Sequence, residues 1–298
     1  MTNINSWKRS GGLAKNMTDA DSKDIRMSPE YLDILKGQME TRHVSSAFGF
    51  LNAHNGLRKG KLHVMMGSSH SGKSTLLRTL VFDALNNNPD KKLMVFLSEE
   101  TTDDFIREIA VSKYRDKKGL DRLIVHSSFD RKKPTTLKEM VFLIKEVNPD
   151  IFFFDNITTA AFYEEASVKN QGQMVYILKD LAKELNIPFY IVVHTGATVT
   201  DNMRRLVEMN DIRGSKQIVN MAEFFYIAQT FHTESYDGLL RKKIPQIRPM
   251  IFIKKHRGQD CESRIFYLNY DKEKRIYSSD REMEFSEVKH YFKERNYL

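Results

Sequence analysis

The nine residues GSSHSGKST, from Gly67 to Thr75, carry two glycines, a lysine and paired hydroxyls at the spacing G-x-x-x-x-G-K-[ST]. That order suits phosphate. Glycines permit a tight loop whose backbone N–H groups converge on one anion, at the positive end of the following helix. A lysine placed as Lys73 is reaches the β- and γ-oxygens of a nucleoside triphosphate, and a hydroxyl placed as that of Ser74 is can ligate Mg²⁺. Gly67, Ser71, Gly72, Lys73, Ser74 and Thr75 are the candidate nucleotide-binding residues, with ATP and Mg²⁺ as the expected cofactors.

Such a loop needs a second metal-side carboxylate. IFFFDN supplies Asp155 after four apolar residues, at the end of what reads as a strand. Hydrolysis also needs a group to orient or deprotonate water. VFLSEETTDDF ends another apolar run in Glu99 and Glu100. Glu99 is the choice and Glu100 the reserve, on the condition that this strand neighbours the phosphate-loop strand. YIVVHT ends a further strand in His194, where a polar side chain can touch the γ-phosphate and report its loss. One more strand end is unusual. MIFIKKHRGQD runs three apolar residues into Lys254, Lys255, His256 and Arg257 before Gly258 breaks the chain. On a two-residue alternation Lys255 and Arg257 share a face and Lys254 and His256 the other.

The elements that must hold these groups follow from the apolar pattern. KLHVMMG, KLMVFLS, RLIVHS, DIFFFDN and PFYIVVHT read as buried strands. Helical patterns lie between them, including KSTLLRTLVFDALNN and SVKNQGQMVYILKDLAKELN. Continuous apolar strands alternating with helices imply an α/β fold with a mostly parallel sheet covered on both faces. Open sheets of this kind build their sites at the carboxyl ends of the strands. EFFYIAQTF, RPMIFIKKH and SRIFYLNY follow closely and predict antiparallel edge strands near the C-terminus. YSSDREMEFSEVKHYFKERNYL predicts a terminal helix. The first 26 or so residues are polar and predict a flexible arm, and MSPEYLDILKGQME predicts a short helix with Tyr31, Ile34 and Leu35 on one face.

Composition sets outer bounds. The chain has 298 residues, 41% hydrophobic and 29% charged, as soluble globular proteins do. No apolar run approaches the roughly 18–20 residues of a membrane span, and the N-terminus lacks a secretory apolar segment. One cysteine, Cys261, excludes an intramolecular disulfide and suits a reducing cytoplasm. A net charge of +8 favours a polyanionic partner.

Taken together, the order of motifs resembles the RecA-fold ATPase domain of DnaB-type ring helicases, including the phage-type replicative helicases. The resemblance runs from VSSAFGFLNAHNGLRKGKLHVMMG to FYLNYDKEKRIY, roughly residues 43 to 277, leaving 1–42 as an arm with a linker helix and 278–298 as a helical tail. NDIRGSK resembles the family's D-L-R-G/E-S segment, and KHR its late K-x-R. The resemblance implies an ATP-driven single-stranded DNA translocase acting as a homo-hexamer or similar ring. It implies that Arg257 reaches the neighbouring subunit's γ-phosphate as an arginine finger, with Lys255 as companion. It implies that Arg204, Arg205, Arg213, Gly214 and Lys216 contact single-stranded DNA. A primase, a loader or a single-strand-binding protein are the partners it suggests, in a host cytoplasm and with no membrane. Three features depart from the family. Only about 42 residues precede the core, the sensor is His as in phage-type members, and HRGQD replaces the usual R-N-G-P. Two other readings use the same elements: a RecA-like recombination or annealing ATPase, and a KaiC-like regulatory ATPase without DNA, which the paired Glu99 and Glu100 suit.

Overall fold

The computed structural model describes residues 43–53, 56–69, 71–111, 119–196, 205–237, 242–256 and 264–293. The N-terminal arm and its expected helix, together with His70, Arg204, Arg257, Gly258 and Cys261, lie outside the described residues.

The described chain opens with β1 (His43–Val44), α1 (Gly49–Asn52) and β2 (Leu57–Arg58), where β1 and β2 pair as a small antiparallel sheet. The phosphate loop follows β3 (Leu62–Gly67) and leads into α2 (Lys73–Asn87). Then come β4 (Leu93–Leu97), α3 (Thr102–Val111), β5 (Leu123–Ser127), α4 (Leu137–Val147) and β6 (Ile151–Asp155). A short α5 (Ala161–Glu164) and a long α6 (Val168–Leu185) separate β6 from β7 (Phe189–His194). After α7 (Gln217–Met221) the chain is mainly β: β8 (Phe224–Asp237), β9 (Lys242–His256), β10 (Ile265–Asp271) and β11 (Ile276–Glu282), closed by α8 (Phe285–Lys293). Among the described residues no helix is long and apolar enough to cross a membrane.

The main sheet has nine strands in the order β11–β10–β9–β8–β3–β7–β6–β4–β5. From β5 to β8 every pairing is parallel, and from β8 to β11 every pairing is antiparallel. The inner parallel strands β3, β4, β6 and β7 are largely apolar because both faces are covered, whereas β5 at the sheet edge is mostly half-buried. Leu62, Val64 and Met66 of β3 pack on one face with Met140 and Ile144 of α4 and Leu178 of α6. Met65 points the other way, into a core with Leu76 and Leu80 of α2 and Phe105 of α3. The same alternation divides Phe152 and Phe154 from Phe153 in β6.

The long β8–β9 ribbon and β11 were not anticipated. β8 and β9 run on together from Thr230↔Pro249 to Asp237↔Lys242, past the last pairings with β3 and β10, as a two-stranded ribbon. The residues of this extension are mixed polar and charged, so no apolar run marks it. The boundary expected at 277 falls inside β11, and the terminal helix begins at Phe285 rather than Tyr277. Physically, Asp271 Oδ1 accepts from the backbone of Glu273 and Lys274 and folds a turn. Tyr277 is then buried on the sheet, and Asp280 accepts from Gly49 N at 2.6 Å and Phe50 N at 2.7 Å, tying β11 to α1. Phe292 of α8 is buried against Phe231 and Phe252.

Candidate nucleotide site

Apart from Lys255, which lies beside the amino-terminal end of β8, every anticipated site residue that is described lies at the C-terminal ends of the parallel strands or in the segments joined to them. The phosphate loop is rigidly supported. Thr230 Oγ1 of β8 donates to Ser71 O at 3.0 Å, and Lys73 Nζ donates to Ser68 O across the loop. Gly72 is in the left-handed region at φ 83°, and α2 has neither a side-chain cap nor an acidic residue in its first turn. Its amino-terminal N–H groups therefore present uncompensated positive charge to the loop. A Cβ at Gly72 would overlap Tyr277 Oη. Gly72→Ala is expected to cost about 1–3 kcal/mol from the backbone conformation and this overlap, read by thermal unfolding.

Two buried atoms near the loop have no hydrogen-bond partner: Ser71 Oγ and Asp155 Oδ1. Asp155 ends β6, beside the Ser74 hydroxyl, which hydrogen-bonds to it. Burial pushes the Asp155 carboxyl up to about 6, against the Ser74 bond and the nearby Lys73, with Glu99 and Glu100 adding to the rise. An orphaned, desolvated carboxylate oxygen next to a hydroxyl suits a hard cation with oxygen ligands. Ser74 and Asp155 thus fit Mg²⁺.

The raised value has a stability consequence without metal. A carboxylate harder to ionise when folded lowers stability as pH rises from 3.8, its ordinary value, through about 6. Above that range the cost is about 3 kcal/mol. Asp155→Asn is expected to raise the metal-free melting temperature at pH 8 and leave it nearly unchanged at pH 3, while abolishing metal-dependent activity.

The strand order alters the basis for Glu99. β4 is separated from β3 by β6 and β7, so the condition that it neighbour the phosphate-loop strand is not met. Glu99 reaches the site another way. Ser98 Oγ bonds Asn156 O at 2.5 Å and Asn156 N at 3.0 Å, which pins the end of β4 to the end of β6. Glu99 Oε1 then stands 3.5 Å from His194 Nε2. Glu100 turns away and pairs with Arg78 of α2 at 2.6 Å.

His194 ends β7, directly beside Gly67 of β3. Burial pushes its imidazole below the usual value, Lys73 adds to this, and Glu99 opposes it. On balance these surroundings favour the neutral ring. Past His194 the chain pairs with the basic segment. Arg213 N donates to His194 O at 2.9 Å, Gly196 N to Asp211 O at 2.7 Å, and Thr195 bridges Ile212. Thr195 N also donates to Gly67 O at 3.2 Å.

Gly214 has φ 87°, and a Cβ there would lie 2.9 Å from both Tyr163 Oη and Gln171 Oε1. Only glycine passes between these groups, and Tyr163 Oη then accepts from Ser215 N at 3.2 Å. Arg213 and Lys216 are exposed on either side. Arg213 pairs with Glu164 at 2.5 Å, and Arg205 holds Asp211 through two 2.7 Å bonds. Beside this segment an open groove of about 840 Å³ is lined by Lys169, Gln173 and Tyr176 of α6 and by Lys216.

Lys255 Nζ, expected on a neighbour's phosphates, donates within its own chain to Val219 O at 2.6 Å and Asn220 O at 3.2 Å. A cation there satisfies the last carbonyls of α7. One cavity beside the phosphate loop was not anticipated. A cavity of about 280 Å³ is lined by Thr75, Arg78 and Phe82 of α2, by Glu108 of α3, and by Tyr270, Arg275 and Ile276. An aromatic ring and a guanidinium above a cavity next to a phosphate loop can hold a nucleoside. No local signal marks Tyr270 or Arg275, because both reach α2 only through the β10–β11 turn.

A family model described as an AAA domain matches residues 52–198. Among solved structures, a DnaB-like replicative helicase, described with its interactions with primase, superposes with a TM-score of 0.61 at 15% identity, covering 89% of this chain and 67% of that one. The fold is that of a RecA-like P-loop ATPase. A KaiC-like protein from the hyperthermophilic archaeon Pyrococcus horikoshii shares this RecA-like fold, with a TM-score of 0.55 at 11% identity over 78% of this chain and 96% of that one. A search of curated protein sequences returns no match.

Proposed function

We propose that this chain is an ATP-driven, ring-forming single-stranded DNA translocase, a replicative helicase of phage or plasmid type. One observation carries the reading: the backbone pairing of His194–Gly196 with Asp211–Arg213. It makes the end of the phosphate-sensing strand and the basic segment one hydrogen-bonded unit, so a change at the γ-phosphate is felt where nucleic acid would bind.

In this reading Lys73 and the α2 amino terminus neutralise the triphosphate, and Ser74 and Asp155 hold Mg²⁺, which supplies further positive charge to the phosphate oxygens. Glu99 orients the attacking water and accepts its proton. His194 answers to the γ-phosphate. Arg257, two residues after Lys255, serves the neighbouring subunit, so the site is complete only in a ring, with six subunits expected. Arg204, Arg205, Arg213, Gly214 and Lys216 meet the phosphates of a single strand without reading its bases. The carboxylate partners of Arg205 and Arg213 do not block this, because exposed ion pairs are worth only about 0–1 kcal/mol and exchange readily. A primase, a loader or a single-strand-binding protein would act alongside.

The likeness to a KaiC-like protein favours a second reading, a regulatory ATPase that uses no DNA. A forked-duplex assay separates the readings. Strand separation that requires ATP supports the helicase. Annealing without separation favours a recombination ATPase. Absence of any single-strand binding at low salt favours the regulator.

A further inference from the structure

Asn156 is wholly buried at the end of β6, and none of its side-chain bonds was anticipated. Its Oδ1 accepts from Thr158 Oγ1 at 2.7 Å, Thr159 N at 3.1 Å and Thr159 Oγ1 at 3.1 Å. Its Nδ2 lies 3.1 Å from His194 Nε2. These partners fix which way the amide faces. The Thr159 backbone N–H can only donate, so the atom it meets must be the amide oxygen. Thr158 Oγ1 accepts from His194 N at 3.1 Å, which commits its proton to Asn156. The amide nitrogen must therefore face His194, and a nitrogen that can only donate requires an acceptor opposite it. Nε2 must be the unprotonated ring nitrogen.

We propose that Asn156 is a positioning residue that fixes His194 as the neutral tautomer protonated on Nδ1. The sensor's one donor to phosphate is then Nδ1–H. Glu99, 3.5 Å from the same Nε2, is denied a proton there and is not drawn into an ion pair with the ring. One side chain thus sets the sensor's donor and keeps the proposed base in its accepting form. The groups around the ring agree. Lys73 and Arg213 both disfavour an imidazolium, and Glu99 alone favours it.

The proposal rests on the ATPase reading for its purpose, yet its central statement concerns the protein without nucleotide. Nitrogen NMR of ring-labelled histidine reads it directly, with His194 identified by the signal lost in His194→Gln. The expected pattern is a protonated Nδ1 and an unprotonated Nε2 at pH 7. A protonated Nε2 overturns the proposal, whether or not ATP is hydrolysed, and an inactive protein with the expected tautomer counts against the ATPase reading alone.

The kinetic arm uses Asn156→Asp, whose carboxylate demands a proton on Nε2. The expected loss in kcat is about 10- to 100-fold, the size typical of an outer-shell partner, with KM for ATP little changed. In a His194→Gln background the same substitution should add less than about twofold, as for residues acting as one unit. Equal losses in both backgrounds would mean a structural role and overturn the proposal. If Asn156→Asp fails to fold, the wild-type tautomer still decides.

Discussion

Glu99→Gln is expected to lower ATP hydrolysis by about 10²- to 10⁴-fold while ATP still binds. The substitution keeps the shape and removes the ability to accept a proton. The binding groups, Lys73, Ser74 and the loop N–H donors, are untouched, so the loss falls on kcat. Glu100→Gln is the internal control. Glu100 is held by Arg78 Nη2, and the Nε of the same guanidinium is buried without a hydrogen-bond partner. Weakening that pair should cost about 1–3 kcal/mol of stability and leave hydrolysis in the folded protein near the wild-type rate. A larger kinetic effect at Glu100 than at Glu99 would reverse the assignment.

Arg257→Ala is expected to lower hydrolysis by about 10³- to 10⁵-fold, the range for an arginine finger, again with ATP binding retained. A guanidinium is planar and always charged, which suits charge spread over phosphoryl oxygens. The claim that it acts across a subunit boundary has its own test. Arg257→Ala and Glu99→Gln chains, each inactive alone, are mixed. A site with an intact Glu99 can then face a neighbour with an intact Arg257, and hydrolysis should return in proportion to such interfaces. If the mixture stays as inactive as its parts, Arg257 does not act in trans.

The parallel half of the fold and the phosphate loop were legible because their signals are local. Gly72-Lys73-Ser74 need only each other, and five apolar strands, four of them buried on both faces, stand out as runs. Asp155 and His194 were legible because a polar residue closing such a run has one place to be, the carboxyl end of the sheet. What was not legible depends on chain crossings. Glu99 and Glu100 are neighbours that differ only through Arg78 and His194, one on a helix and one on a distant strand. Lys255 looks like any strand-end cation until α7 turns its last carbonyls toward it. Tyr270 and Arg275 reach the cavity beside Thr75 only through the β10–β11 turn, and Asn156 matters only through the orientation its threonine neighbours impose. The β8–β9 ribbon and β11 escaped because their residues lack a continuous apolar run.

The central claim is that the nucleotide site and the Asp211–Lys216 segment work as one device on a single strand. The most direct measurement is the steady-state ATPase rate with and without single-stranded DNA, at low and moderate salt. Stimulation by the single strand is predicted, weakening as salt rises because phosphate contacts carry the binding, and lost in Arg213→Ala. An ATPase rate indifferent to single-stranded DNA at low salt would contradict the account.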